Sequence, residues 1–336
     1  MDIELRIAGE EAEVIRGMEP FVKKRLSLLV GLDMRKWWPY QFFGFMERDD
    51  DYAGELDKLR EEAKALRDEE LVVLIGNQIT EEALPNYSRA LGNLFPDPTG
   101  ISQNPWNVWD RGWVAEEGMH EKVLICYSIL NGRVSQRAVE WSSFSLKAGG
   151  MKSLPGLFLG LVYPAYQEPA TAKSHMNMAR IARDRGVQTL YDICSNIAKD
   201  ESRHAKFYSE IVSELMKRAP ERMMIAYDKL TKDGAVMPGR NMTDETYTEP
   251  PTLFEHFVGV ADRIGVYTTA HHAEIFDKLN KELGVSKVLG LGGEAAEAQE
   301  RLCKLPGRLR KYADWKKKRH RVAEPVAFDW IYGRAA

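Results

Sequence analysis

Two short patterns in the sequence have the residue types and the spacing of metal ligands. One is Glu117-Gly118-Met119-His120, the other Glu201-Ser202-Arg203-His204. Residues three apart share one face of an α-helix, so the carboxylate and imidazole of each pattern can reach one ion. A single such pair is weak evidence, because surface pairs arise by chance; two copies on separate helices are stronger. Each copy also has an acidic residue upstream. Glu81 stands 36 residues before Glu117, and Glu168 stands 33 before Glu201. Both intervals fit a helix, a turn and a return. Glu82 adjoins Glu81, and periodicity does not choose between them. Glu followed by Glu-x-x-His, twice over, is the donor pattern with which four-helix bundles hold two iron or manganese ions. Carboxylate and imidazole donors suit those metals. Four carboxylates could not share a buried site without cations. Two ferrous ions side by side can reduce O2 to an oxidant that attacks an unactivated C–H bond.

The elements that must position these residues read as helices. Glu55 to Arg67 is rich in Glu, Lys, Leu and Ala, all strong helix formers. Glu69 to Leu94 has helical spacing broken at Pro85, and Trp106 to Asn131 is a third run. Gly132 and Gly149-Gly150 punctuate the next. Leu157 to Arg183 and Val187 to Lys217 follow, with Pro220 ending the second. Lys232 to Pro251 reads as a loop. Helical patterning resumes from Thr252 to Cys303, with breaks at Gly284 and Gly290 to Gly293, and a basic tail starts at Lys304. Leu71 to Ile75 is β-like locally but sits inside a helical window. The expected architecture is all-α, a four-helix core with additional helices, in one domain over residues 1–336 whose basic and aromatic tail covers about 304–336.

Composition narrows the function. With 47 basic and 50 acidic residues among 336, the net charge is −3, which argues against a nucleic-acid binder. The three cysteines, Cys126, Cys194 and Cys303, form no Cys-x-x-Cys pair, which excludes a disulfide scaffold and a cysteine zinc site. The longest apolar stretch, Gly156 to Tyr166, is shorter than the ~20 residues a bilayer needs. The acidic start Met1-Asp2-Ile3-Glu4 lacks an apolar leader. A soluble, cytoplasmic protein without membrane insertion is expected.

Further motifs carry a resemblance. Ile79-Thr80-Glu81-Glu82-Ala83-Leu84-Pro85, Trp113 to His120, Gln167-Glu168-x-Ala170-Thr171 and Asp200-Glu201-x-Arg203-His204 resemble motifs of the soluble acyl-ACP desaturases, the plant stearoyl-ACP desaturase family. The likeness continues through Gly265-Val266-Tyr267-Thr268, Leu305-Pro306-x-Arg308 and Phe328-x-Trp330-Ile331. It spans the chain from about Trp37 to the end. It implies a ferritin-like bundle, a homodimer, two iron ions, ferredoxin as electron donor and a fatty acyl chain on acyl carrier protein as substrate. It implies Glu81, Glu117, His120, Glu168, Glu201 and His204 as ligands, and so favours Glu81 over Glu82. It also implies roles for Thr171 near the oxygen-binding face and for Trp37 and Asp200 in electron entry toward His120. Ala90, Leu91, Leu94, Gly160 and Leu161 match the acyl channel, though each also reads as ordinary core. Arg203 is expected to pair with a ligand carboxylate, His175 to be a packed histidine, and His271-His272 to lie at the surface.

The departures from that family carry expectations of their own. Gly118-Met119 replaces the common Asn-Arg and weakens the helix by ~1 kcal/mol relative to alanine. Pro169 stands where plant members carry a basic residue, so a kink or bulge is expected over Ala165 to Pro169. Arg35 and Lys36 are the favoured basic residues for an acidic carrier protein. The segment Arg308 to Arg321, with eight Lys or Arg and one Asp, reads first as a solvated face. The competing readings are a di-iron hydroxylase or oxidase acting on a carrier-bound acyl chain, and a ferritin-like iron- or oxidant-handling protein.

Overall fold

The computed structural model describes residues 9–30, 37–47, 51–150, 156–233, 237–318 and 324–336. Helix formers and helical apolar spacing dominate these residues, and the chain is all-α. The helices α1 (Gly9–Gly17), α2 (Glu19–Arg25) and α3 (Tyr52–Ala63) lead into α4 (Asp68–Glu82) and the short α5 (Leu84–Gly92). Next come α6 (Pro105–Leu130), α7 (Gln136–Gly149), α8 (Leu157–Asp184) and α9 (Gln188–Arg218). The outer helices are α10 (Pro220–Asp233), α11 (Leu253–Arg263), α12 (Thr269–Glu282) and α13 (Gly293–Lys318).

Four of these form the core. α8 lies along α9, α4 along α6, and the two pairs close through α4 against α8 and α6 against α9. The sequence sets each of them locally. α4 buries every residue from Glu70 to Glu82. A helix covered on all sides is an interior helix, so the apolar run Leu71 to Ile75, three of whose five residues are β-branched, stays helical because its neighbours cover every face. Asn104 caps α6 by accepting from Trp106 N, with Pro105 in the first turn, where a proline loses no bond. The tight link between α8 and α9 needs Gly186, whose φ is +76°.

Outside the core, α11 and α12 flank α4 and α8, and α13 packs on α10 and α12. The last residues fold back: Ala327–Phe328 pairs antiparallel with Arg334–Ala335. Phe328, Trp330 and Ile331 are fully buried, and Trp330 Nε1 donates to Ser142 Oγ of α7 at 2.9 Å. No helix among the described residues is long and apolar enough to cross a membrane.

Several boundaries differ from the sequence expectation. α3 ends at Ala63, four residues early, because Lys64 to Leu66 turn and Arg67 N bonds the Glu70 carboxylate to start α4. The break between α4 and α5 is at Ala83 rather than Pro85, which occupies the first turn of α5. Pro220 opens α10, for the same reason Pro105 opens α6. Gly265, at φ +77°, separates α11 from α12, a break the pattern did not suggest. The basic tail begins later than Lys304, since α13 continues through Pro306, which is buried with Leu302 and Ala313. The kink or bulge expected at Ala165 to Pro169 does not interrupt the helix: α8 is continuous through Pro164 and Pro169. Ala165 and Pro169 both line a groove of about 840 Å3 between α8, α9 and α12.

Candidate metal centre

Each core helix carries its share of one buried cluster. α4 supplies Glu81, α6 Glu117 and His120, α8 Glu168, and α9 Glu201 and His204, all 3% exposed or less. Their donor atoms fall into two overlapping groups, Glu81, Glu117, His120 and Glu201, and Glu117, Glu168, Glu201 and His204. Within each group the donors lie within 4.8 Å of one another. Glu117 and Glu201 belong to both. Glu82, the alternative to Glu81, turns away to Gln78, Ser143 and Lys147.

Both imidazoles present Nδ1 to the carboxylates. His120 Nδ1 is 3.2 Å from Glu201, 3.4 Å from Glu117 and 3.9 Å from Glu81. His204 Nδ1 is 2.8 Å from Glu117, 3.7 Å from Glu168 and 3.8 Å from Glu201. Yet both Nδ1 atoms, Glu117 Oε1, Glu168 Oε1 and both oxygens of Glu201 make no hydrogen bond among the described residues; even the 2.8 Å approach is badly angled. Buried polar atoms without partners are costly. Here they face one another across one small volume, and the donor set fits metal ions.

Electrostatics agree. Burial, and then the charge of Glu201, hold Glu81 and Glu168 well above the usual carboxylate range. Burial pushes Glu201 upward too, but His120 and His204 outweigh it and hold this carboxyl well below that range. Burial lowers both histidines, and the surrounding carboxylates more than reverse it. Without cations, protons must neutralise the cluster; metal binding would release them.

A second layer of acids faces the outer side of each imidazole. Glu116 Oε2 is 2.9 Å from His204 Nε2, and Asp200 Oδ2 is 3.5 Å from His120 Nε2. Trp37 Nε1 donates to Asp200 Oδ2 at 3.1 Å, and its ring stacks near His120, centroids 6.1 Å apart. Burial raises Asp200, but His120 and Arg203 outweigh it and hold its carboxyl at about 2. Arg203 donates to Asp200 Oδ1 at 2.6 Å and to Glu116 Oε2 at 3.0 Å. It therefore pairs with these supporting acids, not with a ligand carboxylate as expected, because it leaves α9 on the outer side of the cluster. Glu116 was missed in the sequence, although its signal was there: an acid precedes the glutamate in both Glu-x-x-His patterns.

The remaining expectations divide. Thr171 Oγ1 donates back to Gln167 O at 2.9 Å and accepts from the Gln167 side chain at 2.8 Å. His175 is buried, as expected, but it touches the cluster: its Nε2 lies 3.0 Å from Glu81 Oε1. His271 and His272 are not free surface residues. His271 Nδ1 accepts from Thr268 N, and His272 Nδ1 bonds the buried hydroxyl of Tyr166, because α12 packs on α8. Leu91, Leu94 and Leu161 are buried and Ala90 is half-buried. The Leu94 side chain lies on Gly160, where a Cβ would meet it at 2.0 Å. Arg35 and Lys36 lie outside the described residues, as do residues 319–321 of the basic segment.

A family model described as fatty acid desaturase matches residues 10–332. The acyl-[acyl-carrier-protein] desaturase of Cucumis sativus is 37% identical, covering 97% of this chain and 82% of its own length. Stearoyl-[acyl-carrier-protein] 9-desaturase 3 of Arabidopsis thaliana is 38% identical, with 98% and 83% covered. Acyl-[acyl-carrier-protein] 6-desaturase of Thunbergia alata is 36% identical, with 98% and 85% covered. The solved structure of DesA2 from Mycobacterium tuberculosis superposes with a TM-score of 0.55 at 15% identity, covering 85% of this chain and 99% of that one; this likeness speaks to the fold.

Proposed function

Because the chain belongs to the fatty acid desaturase family, we propose that it forms a cis double bond in a fatty acyl chain carried on acyl carrier protein. The overall change takes two hydrogens from adjacent carbons and, with O2, two electrons and two protons, yields two waters. One observation carries the reading. All six of Glu81, Glu117, His120, Glu168, Glu201 and His204 are present and buried, with their donor atoms turned toward one another. We assign them as the residues that would hold two iron ions, Glu117 and Glu201 being the donors common to both groups. Two ferrous ions, when bound, supply the electrons that turn O2 into an oxidant able to attack an unactivated C–H bond.

The other residues position and protect. Glu116 and Asp200 face the Nε2 atoms and orient the two imidazoles. The Trp37–Asp200–His120 line is the route we assign to electrons from ferredoxin. Thr171 stands one turn beyond Glu168, from where its hydroxyl can pass a proton once it leaves Gln167. Ala90, Leu91, Leu94, Gly160 and Leu161 are assigned to the acyl channel, whose task is to hold one pair of carbons against the oxidant. The functional unit we infer is a homodimer in the cytoplasm. A 6-desaturase and a 9-desaturase are almost equally similar to this chain, so bond position has to be measured.

Iron-loaded protein, reduced ferredoxin, O2 and a panel of acyl carrier proteins with chains of different length provide the test, with mass spectra of the products. Loss of two hydrogens from one chain is the expected result. Gain of an oxygen would refute desaturation and identify a hydroxylase. Iron turnover with no acylated carrier bound would identify an iron- or oxidant-handling protein.

A further inference from the structure

We propose that His175 is a positioning residue for the cluster: through Nε2 it fixes the carboxylate of Glu81 and makes one metal position tighter than the other. The inference rests on the reading that the six buried donors hold two metal ions. His175 Nε2 lies 3.0 Å from Glu81 Oε1, and the two side chains are 1% and 3% exposed. An ionised carboxylate has no proton to offer, so Nε2 is the donor whenever Glu81 is a metal ligand. His175 Nδ1 has no partner among the described residues. Its bond to Glu81 is therefore the hydrogen bond that offsets burial of this imidazole.

Glu168 is the counterpart of Glu81 in the other donor group. No side chain from outside the cluster hydrogen-bonds it among the described residues. Its Oε1 is unpartnered, and its Oε2 lies 3.7 Å from His204 Nδ1. α8 thus serves both groups. It gives Glu168 to one as a donor, and seven residues later, two turns along the same face, it gives His175 to the carboxylate of the other. One end carboxylate has a hydrogen-bond partner from outside the cluster, and the other has none among the described residues. Partners that orient a ligand contribute roughly 10–100-fold to metal affinity.

Cobalt(II) titration of the metal-free full-length chain, followed by calorimetry and by the visible cobalt bands, tests this. Wild type should take up two ions. His175→Leu should weaken one of them by roughly 10–100-fold and the other by less than about threefold. His175→Gln, which restores an N–H donor, should recover most of the loss. A cycle assigns the effect. In a Glu168→Ala background, where the Glu81 group is left intact, His175→Leu should still weaken the remaining ion about tenfold or more. In a Glu81→Ala background, where the acceptor is gone, it should change affinity by less than about threefold. A purely structural histidine would act alike in both. Equal weakening of both ions, unchanged affinities, or a full loss in the Glu81→Ala background would overturn the proposal. If His175→Leu does not fold by circular dichroism, His175→Phe takes its place in the same cycle. A wild-type chain that binds no metal refutes the site itself, whereas two bound ions with no asymmetry among the variants refutes only the role of His175.

Discussion

Replacing Asp110 with asparagine should stabilise this protein at pH 8 and do little at pH 4. Asp110 leaves α6 two turns before the cluster and points toward Gly92 of α5, where a Cβ would sit 3.8 Å from Oδ2. Its Oδ1 has no hydrogen-bond partner among the described residues. Burial pushes the carboxyl up from 3.8 to about 6, and the neighbouring Arg111 offsets only part of that. The sign follows from proton counts. Between those two values the unfolded chain has lost its proton and the native chain has kept it, so native stability falls as pH rises through the interval and is lower by a constant amount above it. A shift of this size corresponds to about 3 kcal/mol, and partial exposure of the side chain reduces it to about 2 kcal/mol. Asparagine has the same shape and no charge, so it removes that term. For a chain of this length, about 2 kcal/mol is a rise of roughly 3 °C in Tm. Thermal unfolding of metal-free wild type and Asp110→Asn, followed by circular dichroism from pH 8 to pH 4, reads it directly. A gain that is the same at every pH, or a loss at pH 8, would refute the burial argument.

Five other variants test the packing and the site. Gly118→Ala places a methyl where nothing lies within 4 Å and should stabilise α6 by ~1 kcal/mol in chemical denaturation. Gly76→Ala should do the reverse by about 1–3 kcal/mol, since its Cβ would meet the Phe257 ring at 2.2 Å. Glu117→Ala or His204→Ala should lose bound iron and activity while circular dichroism stays helical; full activity with an intact metal content would remove both from the ligand set. Trp37→Phe deletes the donor to Asp200 and should slow ferredoxin-driven turnover about tenfold with iron content unchanged, so equal rates would exclude this electron route.

How much of this was legible beforehand depends on whether the cause was local. The long helices were, because α6, α8 and α9 carry helical spacing end to end between proline and glycine stops. The donor pattern was, because i, i+3 spacing survives any detail of packing. The reach of Lys304 to Lys318 was not: its helix depends on burying Leu302, Pro306 and Ala313 against α10 and α12. Pro169 was legible only in part, since local stereochemistry predicted a kink or bulge and α8 runs through it without interruption. His175 and His272 read as unremarkable because their partners, Glu81 and Tyr166, about a hundred residues away in sequence, are decided by helix pairing; the bond of His271 to Thr268 is a local cap at the start of α12.

The two halves of the site support each other. In both patterns an acid precedes the glutamate, and successive residues on a helix point about 100° apart, so the glutamate faces inward and the acid faces around the side. Glu116 of α6 reaches His204 of α9, and Asp200 of α9 reaches His120 of α6. Each helix therefore sets an acid against the imidazole that the other supplies, and Arg203 neutralises both acids at once. Displacing either helix misaims both histidines, which couples the metal site to the packing of α6 on α9. The symmetry fails in two places. Trp37 backs Asp200, whereas the other acid, Glu116, is backed by Val30 N. His175 holds Glu81, and nothing equivalent among the described residues holds Glu168. The donor set is symmetric and its support is not: the Glu81 group has His175 and lies next to Trp37, whereas Glu168 meets only groups of the cluster itself among the described residues. If the six donors hold two ions, this asymmetry requires that His175→Leu weaken the ion on the Glu81 side and spare the one on the Glu168 side.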